Sequence, residues 1–394
     1  MAYPRLTIDP KLKDWATPRQ IEYIEAVEKH GTIKAAAKAM GVTQQAVSFA
    51  IQYLKTSAAR RGYAPEADMV KTTVPPFVVK GVSTLYDGDG KQKLQWVKTG
   101  TDERLLEAAV RAAVDALSVD VVRAKPAKPP AATRAELANL YTLTDCHVGM
   151  RAWGLETGAD WDLSIAEATL CGAFAHLVGA SPPAATAFIN QLGDWLHYDA
   201  LAPVTPTSGH LLDADGRYEK VVQVAVRILR YIIDLALQRH QRVVVLMAEG
   251  NHDMASSVWL RHLFALLYEN EPRVSVIDSP LPYYAYAHGK TMLAFHHGHL
   301  AKNGQLPLLF AAQFPEMWGT TTRRYAHTGH RHHVEEKEHS GMTVVQHPTM
   351  AARDAYAARG GWIADRAMTA ITYHAAHGQV ARTTVTPEMI EAAA

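Results

Sequence analysis

The sequence predicts an α/β layered domain preceded by a small all-α module, and three observations predict it. From about residue 135 onward, short apolar strands alternate with amphipathic helices, as in a sheet covered by helices. Residues 1–65 instead carry three short helix signals and no strand pattern. Between them, AKPAKPPAAT (124–133) reads as an extended linker, because proline and alanine at this density favour open chain.

Thr17-Pro18 reads as an N-cap with proline at the first helical position, and Ile21, Ile24 and Val27 recur at helical spacing up to Gly31. Thr32 opens a second helix that Gly41 stops. Thr43 caps a third, whose Val47, Ala50, Ile51 and Leu54 form one apolar face. Residues 75–98 alternate as strands around Asp87-Gly88-Asp89-Gly90, a hairpin signal, and a helix follows at about 102–118. The domains are therefore expected at 1–65, 66–134 and 135–394. In the last, LYTLT, TAFINQL, RVVVLMA, TMLAF and MTVVQ read as strands; 162–178, 217–240 and 256–269 read as helices.

Composition supports two jobs on one chain. The 394 residues carry a net charge of +1, but residues 1–135 sum to +7 and residues 136–394 to −6, and 19 of the 20 histidines follow residue 135. Two cysteines, Cys146 and Cys171, exclude a disulfide framework. We see neither a leader pattern nor a membrane-length apolar stretch, so a cytoplasmic protein that engages no membrane is expected (the host cytoplasm, if phage-encoded).

Five short clusters follow one another in order, the first four directly after the predicted strands LYTLT, TAFINQL, RVVVLMA and TMLAF: Asp145-Cys146-His147, Gly193-Asp194-Trp195-Leu196-His197, Gly250-Asn251-His252-Asp253, His296-His297-Gly298-His299 and Gly329-His330-Arg331-His332-His333. Carboxylate, amide and imidazole are the donors that divalent first-row ions take. Sites in α/β sheets gather at strand C-termini. On an extended segment, Asp145 and His147, like His330 and His332, would share one face.

The series DxH … GD … GNHD … HGH … GHxH resembles the calcineurin-like metallophosphoesterase superfamily across residues 145–333. That resemblance implies a two-sheet sandwich flanked by helices and two divalent metal ions, Mn²⁺ first among them, with Fe, Zn and Ni as alternatives. It implies Asp145, His147, Asp194 and His332 on one ion, and a bridging Asp194 with Asn251, His297 and His330 on the other. His296 and His299 stand close enough to compete with His297. It further implies a metal-bridging hydroxide as nucleophile, His252 as general acid and Asp253 as the group orienting it. The GDWLH block is similar to that of the nuclease subunit of double-strand-break repair complexes, where the histidine matched by His197 helps place the DNA phosphate. A merely packed histidine is the other reading of His197.

AAKAMGVTQQAVSFAIQYL (36–54) resembles a helix-turn-helix, with Gln44, Gln45, Ser48, Gln52 and Lys55 on the outer face of the recognition helix. With the hairpin, the arrangement resembles phosphoesterase-like proteins of tailed bacteriophages and prophages. The expected function is a phosphodiesterase acting on DNA, a nuclease. The alternatives are a phosphatase or phosphodiesterase acting on a small nucleotide or phosphoprotein, and a DNA-binding regulatory protein with a vestigial metal site. Oligomeric state is not readable.

Overall fold

In the computed structural model, which describes residues 8–67, 69, 77–87, 89, 92–101, 123–206 and 209–391, three capped helices form first. Helix α1 (Pro18–His30) opens on a capping box between Thr17 and Gln20 and ends at Gly31, whose φ of 77° favours a residue without Cβ. Helices α2 (Ile33–Ala39) and α3 (Gln44–Arg60) are capped by the Thr32 and Thr43 hydroxyls, which accept from Ala35 N and Ala46 N. Ile24, Val27, Val47 and Leu54 meet in their shared core, each full burial stabilising by roughly 1.5–3 kcal/mol. A hairpin follows, β1 (Phe77–Tyr86) paired antiparallel with β2 (Gln92–Thr101). The helix expected at 102–118 lies outside the described residues. The chain divides into compact units at Leu106/Glu107. The Pro-rich stretch 124–130 forms neither helix nor strand and is pinned within the larger unit: Ala127 N donates to Glu271 at 2.7 Å, and Arg273 donates to Ala127 O.

The larger unit holds two sheets. The first has six strands: β3 (Arg134–Leu143), β4 (Ala184–Gln191), β5 (Arg242–Met247) and β6 (Val274–Val276) run parallel, while β12 (Met368–His374) and β13 (Gly378–Val385) extend it antiparallel beside β3. The second has five, in the order β10 (Glu335–His339), β11 (Met342–Gln346), β9 (Arg323–Thr328), β8 (Thr291–Phe295) and β7 (Tyr284–His288), with β8, β9 and β11 parallel. Leu140, Phe188 and Val244 of the first sheet interlock with Leu293, Phe295 and Val345 of the second. Helices α4 (Leu163–Ala180), α5 (Tyr218–Arg239) and α6 (Met254–Leu267) bury their apolar faces in a core with β3, β4 and β5. Helix α7 (Leu306–Gln313) packs with β8, β9 and β11. The expected two-sheet sandwich flanked by helices is what the chain forms. By length and composition α4 is one helix apolar enough to span a membrane, but its Leu170, Phe174 and Leu177 are fully buried in the protein core.

Candidate metal centre

Each of the five clusters sits just past the C-terminus of a parallel strand: β3, β4 and β5 of one sheet, β8 and β9 of the other. The backbone there is unusual. Among the described residues, the five non-glycine residues with positive φ are Asp145 (51°), His147 (44°), Asp194 (49°), His330 (69°) and His332 (57°). L-residues avoid this region, and strain of this kind collects where function needs a particular side-chain direction. The extended-segment geometry expected for Asp145/His147 and His330/His332 is thus replaced by left-handed turns, because each loop must bend away from its strand. Two glycines permit the crowding. A Cβ on Gly250 would overlap the Asp194 carboxylate, and one on Gly329 would overlap Thr144 and Asp145.

These loops bring the expected ligands together. Asp145, His147 and His332 present donor atoms within 4.8 Å of one another, as do Asp194, His297 and His330. His297 Nδ1 donates to Leu192 O at 2.8 Å, which turns Nε2 toward Asp194 Oδ2 (3.1 Å) and Asn251 Oδ1 (3.3 Å). A carbonyl holding the far nitrogen is the usual support for a ligating imidazole. His297 is therefore the histidine of its block that joins the cluster. His296 instead donates from Nδ1 to Pro282 O, and His299 stacks beside it. His330 N donates to both Asp145 oxygens, and His332 Nε2 lies 3.1 Å from Oδ1.

A third group of donor atoms joins His147, His197 and His252. His252 Nδ1 donates to His197 O at 2.8 Å, so its Nε2 is the nitrogen left for chemistry. Asp253 does not orient it, contrary to expectation. Its carboxylate accepts from Gly250 N, Asp194 N, Trp195 N and Leu196 N, clamping the 194–196 loop. His197 is buried, with Nδ1 3.3 Å from His147 Nδ1 and Nε2 buried without a partner.

Electrostatics fit a cation site. Burial opposes charge on Asp194, but the His297 imidazolium, 3.1 Å from its carboxylate, overrides it and holds the carboxyl well below its usual range. Burial likewise pushes His147 down to about 3. His297 goes the other way: despite burial, the Asp194 and Asp145 charges raise it to about 10.

Sequence reasoning passed over several supports. The Thr349 hydroxyl donates to Asp145 O, Thr144 donates to the Asp145 carboxylate, and Asp199 caps α6 by accepting from Ala255 N and Ser256 N. Thr144 is the one that adjoins a ligand in sequence; Thr349 and Asp199 reach their partners only through the fold. Arg324 donates to Trp318 O and Thr321 O.

On α3 the side chains of Gln44, Gln45, Ser48 and Gln52 are exposed. Lys55 is half-buried and paired with Glu66 at 3.2 Å. Residues 18–61 match the family model described as bacterial regulatory helix-turn-helix protein, lysR family.

No curated protein matches the chain. Several solved structures match more than half of this chain at low identity. A conserved protein described as a predicted phosphoesterase from Streptococcus pneumoniae TIGR4 is 12% identical, with a TM-score of 0.29, over 64% of this chain and 91% of that one. Vps29 complexed with Zn²⁺ from Entamoeba histolytica is 12% identical, with a TM-score of 0.27, over 63% and 99%. The phosphopantetheinyl hydrolase of Mycobacterium tuberculosis is 9% identical, with a TM-score of 0.23, over 55% and 91%.

Proposed function

We propose that this chain is a divalent-metal-dependent phosphoesterase that cleaves phosphodiesters of DNA, a nuclease. One observation carries the reading: Asp145, His147, Asp194, His330 and His332, from three separate loops, all adopt left-handed backbone and gather into donor groups. Mixed carboxylate, amide and imidazole donors suit Mn²⁺ and its neighbours. Asp145, His147, His332 and Asp194 would hold one ion; Asp194, Asn251, His297 and His330 would hold the second. When bound, such ions neutralise phosphate charge and make water acidic near neutral pH. His252, with Nδ1 fixed on the His197 carbonyl, protonates the leaving oxygen from Nε2. Asp253 keeps the Asp194 loop rigid, and the buried His197 ring stacks on His252 at 5.6 Å and helps to set where His252 meets the phosphate. The helix-turn-helix supplies the preference for DNA, through the exposed Gln44, Gln45, Ser48 and Gln52 with Lys55 at their edge.

The test incubates purified, Mn²⁺-loaded protein with linear duplex, single-stranded DNA and a chromogenic phosphodiester. We expect DNA hydrolysis that collapses, by roughly 10²–10⁴-fold, in His252→Ala while metal content survives. Turnover of small esters with DNA left intact would move the substrate to a small nucleotide. No hydrolysis of either by metal-loaded protein would leave a DNA-binding protein with an idle site.

A further inference from the structure

The recognition helix α3 has a feature that its amide and hydroxyl residues do not account for. Its apolar stripe, Val47, Ile51, Leu54 and Ala58, is buried in the helical core. Yet Phe49 and Tyr53, one turn apart on the opposite side, are 74% and 60% exposed. Single exposed hydrophobics are ordinary on protein surfaces. Two aromatics four residues apart on one helix face form a continuous patch. Gln45 stands one turn before Phe49, and Gln52 three residues after it, both exposed.

The surroundings name the occupant. From Gly31 to Arg61 the chain carries five basic residues (Lys34, Lys38, Lys55, Arg60 and Arg61) and no Asp or Glu. Lys34, Lys38 and Arg60 are exposed. A helix face of amides and aromatics within a wholly basic segment complements a polyanion with readable base edges. In the major groove, glutamine pairs bidentately with adenine N6 and N7, and an apolar ring fits the thymine methyl.

We infer that Phe49 reads the 5-methyl group of thymine, with Gln45 and Gln52 reading adenine beside it, so that the module selects sites containing adjacent A·T pairs. Tyr53 extends the apolar contact, and its hydroxyl reaches a base edge or phosphate. This rests on the DNA-binding reading above and adds to it a base preference and the residue that sets it. Phe49 is the informative residue because no buried contact depends on it.

The experiment uses the full chain in EDTA, where hydrolysis is off. Bound duplexes are selected from a random-sequence library, and the selected site is then resynthesised with deoxyuridine in place of thymine. We expect A·T-rich selected sites and binding about 3–5-fold weaker on the uracil duplex, a methyl group's worth of burial. Phe49→Ala should bind both duplexes alike, with unchanged melting temperature and salt dependence. Equal binding of both duplexes by the wild type, or a thymine preference that survives in Phe49→Ala, overturns the inference while leaving DNA binding intact. Absence of binding to every duplex overturns the DNA reading itself, and this inference with it.

Discussion

Two histidine clusters lie close together in the larger unit and have opposite characters. His327, inside β9, is 2.9 Å from His347; Tyr373 OH lies 3.2 Å from His327 Nε2, and Thr369 Oγ1 lies 3.0 Å from His347 Nδ1. Every ring nitrogen has a partner, and one proton per hydrogen bond satisfies the chain with both imidazoles neutral. Burial pushes His347 down to about 3, and His327 well below its usual value. Three residues further on, past the end of the same strand, His330 adopts positive φ and joins Asp194 and His297. Residue type is the same in both clusters. Carboxylate company and a left-handed backbone mark the one suited to a cation; a closed hydrogen-bond chain marks the one suited to holding two sheets together.

The hardest test of that contrast is Asp194→Ala. Asp194 is the carboxylate shared by the two proposed ion sites, so metal content should fall toward zero. Activity should drop by more than the roughly 100-fold that losing a supporting partner costs. Elemental analysis of the purified variant decides it, and full metal content there would mean that the cluster is not a metal centre.

A smaller effect follows from the protons that the cluster holds without metal. His297 is raised to about 10, and His332 is raised as well, in both cases because Asp145 and Asp194 charges overcome burial. A group with a raised pKa keeps its proton below that value, so an incoming ion must expel it. Metal affinity should therefore rise with pH from 6 to 9, by about tenfold per unit for each proton displaced. Competition with a chromophoric chelator at several pH values measures the slope. A flat profile would place the metal elsewhere. The His327–His347 pair, already neutral, contributes nothing to it.

Much of this centre was legible in the sequence, because its donors are residue types with few other reasons to cluster after strands. What failed was local geometry. Asp145 and His147 were expected on an extended segment, and nothing in DCH distinguishes a strand end from two left-handed residues on either side of Cys146. Asp253 looked like a partner of His252, whereas backbone amides only the folded loop brings together claim its carboxylate. The choice among His296, His297 and His299 depended on which ring finds the Leu192 carbonyl, a contact across 105 residues. At the sheet edges, β10 reads EEKEH, with its first four residues exposed. Charged edge strands guard against aggregation and carry no apolar period to detect. Strand β12 was illegible for another reason: it is buried almost end to end, with Thr369 and Thr372 inside, so no alternation of apolar and polar residues marks it.

Asp253→Asn separates position from ligation. An amide supplies one acceptor oxygen where the carboxylate serves four backbone N–H groups, so some lose their partner. We expect a loss of about 1–3 kcal/mol in folding stability and 10–100-fold weaker metal binding, with both ions still bound at saturating metal. Calorimetry with a metal titration tests this. Unchanged affinity would show that the 194–196 loop holds its shape without the clamp.

The mildest expected effect on the metal centre comes from His327→Leu. Leucine fills similar space but leaves the Tyr373 hydroxyl and one His347 nitrogen unpaired inside the sandwich, costing about 1–3 kcal/mol. His327 itself offers nothing to an ion, since both its nitrogens are already engaged by Tyr373 and His347. Thermal unfolding should shift downward while metal stoichiometry and turnover at low temperature stay at wild-type values. If metal content fell with stability, the two clusters would be one coupled network. The boundary at the end of β9, three residues wide, would then separate nothing.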